Sequence, residues 1–147
     1  MSLDVSLLSD TPIEKIGTGV FVREEGGTRE LTLEEVREKW PEADVSEEKY
    51  ESNKIYAANI THNLNTMAAA AGLYEALWRP DENNWMKASD LIEVLEAGLE
   101  KLKAEPEKFK KYEPDNGWGT YDGLVEFTEK YLAACKANPE TRVEVSR

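Results

Sequence analysis

The hydrophobic period of the chain changes once between residues 54 and 78, and that change constrains the fold more than any other feature. Ile55 to Ile60 is a short apolar run of strand type. From Asn63 onward, Leu64, Met67, Ala71, Tyr74 and Trp78 recur at steps of three and four, the spacing of one helical face. Strand and helix must share one core here, because neither buries its apolar side alone. The junction between them, Asn59-Ile60-Thr61-His62-Asn63-Leu64-Asn65, is polar at five of seven positions and holds the only histidine of 147 residues.

The flanking sequence extends this pattern to an α+β fold. Leu3 to Leu8 alternates as a first strand and meets the breaker group Ser9-Asp10-Thr11-Pro12. Gly19 to Arg23 and Thr28 to Leu31 flank Glu24-Glu25-Gly26-Gly27 and predict a hairpin. Thr32 and Glu35 have capping-box spacing, and Leu33, Val36 and Trp40 share a helical face that Pro41 ends. Residues 41–53 are acidic and predict a loop. The alanine-rich helix from Asn63 runs to Pro80, and Ala68 to Gly72 make its middle thin.

A second helix begins near Ala88, with Leu91, Ile92, Leu95, Leu99 and Leu102 inward, and Pro106 opens a short turn carrying Phe109. The last helix begins near Tyr121, with Leu124, Phe127, Thr128, Tyr131 and Cys135 on one side; Thr141 to Val145 then alternates as a closing strand. The expectation is one domain over 1–147: a small sheet with strands near 3–8, 54–60 and 141–145, packed on three main helices. Residues 9–53 form an acidic hairpin-plus-helix excursion within it.

Charge and cysteine content narrow the function classes. Eighteen basic and thirty acidic residues leave −12, which opposes direct nucleic-acid binding through a basic surface. Half of that excess lies between Arg23 and Glu51, where eleven acids face five bases. Such a segment attracts a basic protein partner or serves only as a solvated face. No apolar run approaches the ~20 residues of a membrane helix. The opening Met1-Ser2-Leu3-Asp4 lacks a signal-peptide pattern, and Cys135 has no internal disulfide partner. The chain therefore reads as a cytoplasmic protein, with a homo-oligomer left open.

Three patches carry candidate ligand chemistry. Asn59, Thr61, His62, Asn63 and Asn65 lie where a helix start exposes N–H groups that favour an anion or polar ligand; capping by Thr61 or Asn63 is the alternative. Asn116, Gly117, Trp118 and Tyr121, with Gly119 and Thr120 between, offer an indole beside a sharply turning backbone, as a nucleobase or sugar pocket requires. The same pattern also describes a tight turn whose Trp packs inward. Arg79, in Leu77-Trp78-Arg79-Pro80, stands second to these, as a phosphate fork or a helix-dipole partner.

On a straight helix Arg79 lies about 24 Å from Asn63, outside a pocket that joins the first two patches. No phosphate-binding loop or dinucleotide fingerprint is present, and one His with one Cys makes no zinc site, so neither metal nor cofactor is expected.

The ordered motifs Asn-Ile-Thr-His-Asn-Leu at 59–64, Ala-Gly-Leu-Tyr at 71–74, Leu-Trp-Arg-Pro at 77–80 and Asn-Gly-Trp-Gly-Thr-Tyr at 116–121 together resemble a family of short uncharacterised proteins from bacteria and their phages. The opening Met-Ser-Leu-Asp-Val and closing Val-Glu-Val-Ser-Arg are similar too. The resemblance covers residues 1–8 and about 54–147. It implies a phage or bacterial setting, hence host cytoplasm if phage-encoded, and carries no activity.

Polar side chains gathered at element ends, without a nucleophile or metal cluster, point to a non-enzymatic protein that binds a small polar, nucleotide-like ligand, sequestering it in a phage setting. Two other readings compete. One is a small enzyme using His62 on a phosphorylated or carbonyl metabolite. The other is an acidic inhibitor of a basic or nucleic-acid-binding host factor.

Overall fold

A computed structural model describes residues 2–24 and 27–147, the Glu24 side chain excepted. It has the expected α+β architecture, a three-stranded sheet and a two-stranded hairpin with several helices. In chain order the strands are β1 (Ser2–Gly17), β2 (Phe21–Glu24), β3 (Gly27–Glu30), β4 (Glu48–Thr61) and β5 (Arg142–Ser146). The helices are α1 (Leu33–Lys39), α2 (Asn65–Ala70), α3 (Tyr74–Trp78), α4 (Ala88–Ala104), α5 (Pro106–Lys110) and α6 (Tyr121–Ala137). The main sheet is antiparallel with order β4-β1-β5.

Alternation along β1 buries Leu3, Val5 and Leu7 beneath the helices, where they meet Ile60, Leu64, Leu91, Leu95, Leu124 and Tyr131 in one core. Each such side chain contributes roughly 1.5–3 kcal/mol by leaving water.

Two expectations about the excursion change. Ser9 to Pro12 does not end β1. Four residues stand between Leu8, paired with Lys54, and Ile13, paired with Ser52, while Asn53 alone stands opposite them. The surplus residues bulge out, and Pro12 loses no ladder bond there because it is not paired. The strand then resumes, Ile13 to Gly17 pairing with Ser52 to Glu48, so residues 48–53 belong to a strand and only the stretch before them is loop. Because β5 pairs β1 only as far as Leu8, this distal part is a two-stranded ribbon beyond the sheet.

The expected hairpin forms, Phe21 to Glu24 pairing with Glu30 to Gly27, and its turn at Glu25-Gly26 lies outside the described residues. The Thr32–Glu35 capping box closes as expected, with Glu35 N donating to Thr32 Oγ1 at 3.2 Å and Thr32 N to Glu35 Oε1 at 3.2 Å.

The alanine-rich helix also differs from its expected form. His62–Leu64 is a 3-10 turn, α2 stops at Ala70, and α3 is a separate short helix. The break is a Schellman motif. Gly72 takes φ +77°, its N–H donates to Ala69 O at 3.1 Å, and Leu73 N donates to Ala68 O at 2.8 Å. Leu73 then packs onto Gly98 of α4, where an added Cβ would collide with its side chain. Among the described residues no helix is long and apolar enough to cross a membrane.

Candidate ligand-binding site

The two polar loops meet, as the sequence led us to expect. Asn63 Nδ2 donates to the backbone oxygen of Trp118 at 3.2 Å. Gly119, at φ +111°, lies so close to the first loop that an added Cβ would stand 2.9 Å from Thr61 Cγ2 and 3.0 Å from Leu64 Cγ. The contact is a staple, and several of the polar atoms at the joint are engaged within the chain. Thr61 is buried, and its hydroxyl accepts from Asn63 N at 3.3 Å. Asn65 Oδ1 accepts from Thr66 at 3.2 Å, and Asn116 Oδ1 accepts from Trp118 N at 2.9 Å across the turn that Gly117 makes at φ +73°. Trp118 itself is 37% exposed.

At the start of α6, two of the N–H groups expected to face a ligand are engaged within the chain. Tyr121 N donates to the Glu113 carboxylate at 2.9 Å and Gly123 N donates to Thr120 Oγ1 at 3.0 Å, so α6 begins on a side-chain cap and an anion of its own. The Tyr121 hydroxyl is turned inward and donates to Leu102 O at 2.6 Å. A phosphate arriving here would meet Glu113.

His62 is held from the side by a residue the sequence placed far away. Trp78 Nε1 donates to His62 Nδ1 at 3.0 Å, and the Tyr74 ring stacks on Trp78 with centroids 5.6 Å apart. An indole N–H only donates, so Nδ1 is the acceptor and the neutral imidazole carries its proton on Nε2. Nε2 is buried and meets no hydrogen-bond partner among the described residues. A catalytic His62 would need that atom exposed.

The straight-helix separation of Arg79 fails because the chain folds back at Gly72. Arg79 Nε donates to Tyr74 Oη at 3.3 Å and Nη1 pairs with Glu82 at 3.1 Å, which joins it through Tyr74 and Trp78 to His62. The Tyr74 hydrogen bond is the main cause that raises the Arg79 pKa further.

Asn59 stands apart from this cluster and borders open space. Its Nδ2 donates to Ser2 Oγ at 2.9 Å and Asp4 Oδ1 at 2.6 Å, and its Oδ1 accepts from Thr28 Oγ1 at 3.3 Å. That last bond ties the β2–β3 hairpin to β4. A hollow opens on either side of the tie. One, of about 400 Å³, lies between the hairpin, β4 and α6, and is lined by Phe21, Tyr56, Phe127, Arg29 and Lys130. The other, of about 430 Å³, lies over the helix-free face of the sheet, floored by Ser6 and Ala57 between Asp4, Lys54 and Glu144.

Phe21, Thr28, Ala57, Ala58 and Asn59 line both hollows. Phe21 is 60% exposed. Behind the first hollow, Tyr56 stacks on Tyr131 at 5.9 Å and Phe127 meets Tyr131 edge-on at 6.0 Å. The cations of the first hollow are paired: Arg29 makes a fork to Glu35 with 2.9 and 2.8 Å contacts, and Lys130 binds Glu126 at 2.7 Å.

Reading the sequence missed Phe21, Thr28, Tyr56 and Phe127 as site residues. Their only signal was the alternation that set them on strand and helix faces. Among the described residues no three His, Cys, Asp or Glu side chains gather as a metal site would require. The chain matches no protein-family model, no curated protein and no solved structure.

Proposed function

We propose that this chain is a non-enzymatic binding protein for a small polar, nucleotide-like ligand, held in the seam between the β2–β3 hairpin and the sheet. The observation that carries the reading is the pair of hollows that share Phe21 and Asn59. Their volumes suit a ligand of nucleoside size, an aromatic face is available for stacking, and side-chain polar groups stand around it. The site is thus the seam that Asn59 borders, rather than the His62–Trp118 joint, because the open space lies at the seam. Paired cations and the acids Asp4 and Glu144 make the ring and its polar edge, more than a phosphate, the recognised part. In a phage or bacterial setting such a protein would withdraw its ligand from circulation.

Isothermal titration against a panel of nucleosides and nucleotides tests this. Binding of at least one member, weakened about tenfold or more by Phe21→Ala, is the expected result, in line with the energy carried by base–aromatic stacking. Absence of heat with every member would sink the reading.

A further inference from the structure

Eight large apolar side chains stand exposed among the described residues, and five of them, Ile13, Ile16, Phe21, Trp40 and Tyr50, belong to the excursion. Phe21 faces the seam. The other four do not. Ile13 pairs with Ser52 and Lys15 with Tyr50, so Ile13 and Tyr50 are diagonal neighbours on one face of the ribbon. Ile16 pairs with Lys49 on the opposite face. Trp40 stands at the end of α1 and is 48% exposed. The excursion does have a small interior, since Leu31 and Val36 are buried outside the main core, yet these four side chains remain exposed.

From Ile13 to Glu51 twelve acids face six bases, which places half of the chain's −12 on about a quarter of its length.

We propose that this arm is a docking surface for a basic protein, which grips the ribbon on both faces. Apolar exposure on both sides of a narrow ribbon suits a cleft better than a flat surface, and the surrounding acids call for a rim of Lys and Arg. The same charge decides against other occupants. A second copy would bring another arm of net −6, and nucleic acid or an anionic membrane would bring its own negative charge.

The test measures binding of the intact chain to three synthetic peptides of equal length by fluorescence anisotropy: an amphipathic Lys/Leu peptide, oligolysine, and a neutral Gln/Leu peptide. The Lys/Leu peptide should bind about tenfold or more tightly than either other, because it alone supplies both components. Ile16→Ser combined with Tyr50→Ser should weaken it about tenfold, and so should Glu34→Lys, Glu38→Lys and Glu47→Lys together. Met86→Ser with Tyr112→Ser, which removes two exposed apolar side chains of the body, should change nothing.

Equal loss in the body and arm variants, or equal affinity for oligolysine, would overturn the proposal. So would failure of the Lys/Leu peptide to bind. Sedimentation showing a dimer that Ile16→Ser disperses would replace the basic partner with a second copy. Nucleoside binding by the same arm variants is expected to persist, which separates this proposal from the seam.

Discussion

Trp78 Nε1 donates to His62 Nδ1 at 3.0 Å although sixteen positions and a helix break separate the two residues. The bond closes the loop that Gly72 bends, and it commits the imidazole to one tautomer. Trp78→Phe removes the donor and leaves Nδ1 without its partner in a crowded place. We expect a loss of about 1–3 kcal/mol from the hydrogen bond, with a further loss from the smaller ring. Urea unfolding of Trp78→Phe, His62→Ala and the double variant should show non-additive losses. Full additivity would mean that the bond contributes nothing.

The staple between the two loops depends on Gly119 more than on Gly117. Both have positive φ, but a Cβ at Gly119 would press on Thr61 and Leu64 while one at Gly117 meets open space. Gly117→Ala should cost about 1–2 kcal/mol in backbone strain alone. Gly119→Ala should cost about 1–3 kcal/mol more, through displaced core neighbours. Chemical denaturation of the pair gives the order directly, and the reverse order would refute the contact.

Residues 12–50 should be removable. The main core draws no buried side chain from them, and Gly17 and Glu48 close a ribbon whose strands are already adjacent at Leu8 and Lys54. Loop closure depends only weakly on length, so a short Gly-Ser link should leave a cooperatively folding protein. It should also abolish the seam by removing Phe21 and Thr28. Circular dichroism melting checks the first expectation and nucleoside titration the second.

Acid should loosen the arm before the body. Arg29 holds the Glu35 carboxyl at about 2, below its ordinary 4.5, chiefly through the side-chain hydrogen bonds and then with help from the Thr32 backbone. A depressed carboxylate contributes stability above its unfolded value and loses it as pH falls toward the folded one. The effect should therefore fade between about 4.5 and about 2, and it stays small because the pair is exposed. Amide exchange across Leu31 to Trp40 should accelerate in that window while α6 remains protected.

Alkali should act on the body. Burial pushes the Cys135 thiol from 9 up to about 12, and burial first, then Cys135, pushes Tyr56 from 10 to about 12. The unfolded chain then releases these protons before the folded chain does, so stability should fall from about pH 9 toward 12. The same burial predicts that a thiol reagent near pH ~8 labels Cys135 only after unfolding. Rapid labelling of the native protein would contradict the buried thiol.

What the sequence by itself determined is local. Capping by Thr32 with Glu35, the inward faces of α4 and α6, and the three sheet strands all rest on interactions within a few residues or on period, and these are written in the order of the residues. Gly72 could have been read as a helix stop, because glycine is the residue that takes the left-handed conformation of a Schellman motif, but its alanine neighbours carried the helical pattern through it.

Tertiary structure alone decided three things: that β1 resumes beyond Pro12, that Trp78 returns to His62, and that the hairpin lies across β4 at Asn59. Each depends on a partner dozens of residues away or on the far side of a turn. Local propensity carries no information about such meetings; Asn59 is the same residue whether it caps, staples or borders a hollow. Its role came from Ser2, Asp4 and Thr28, which only the folded chain brings to it.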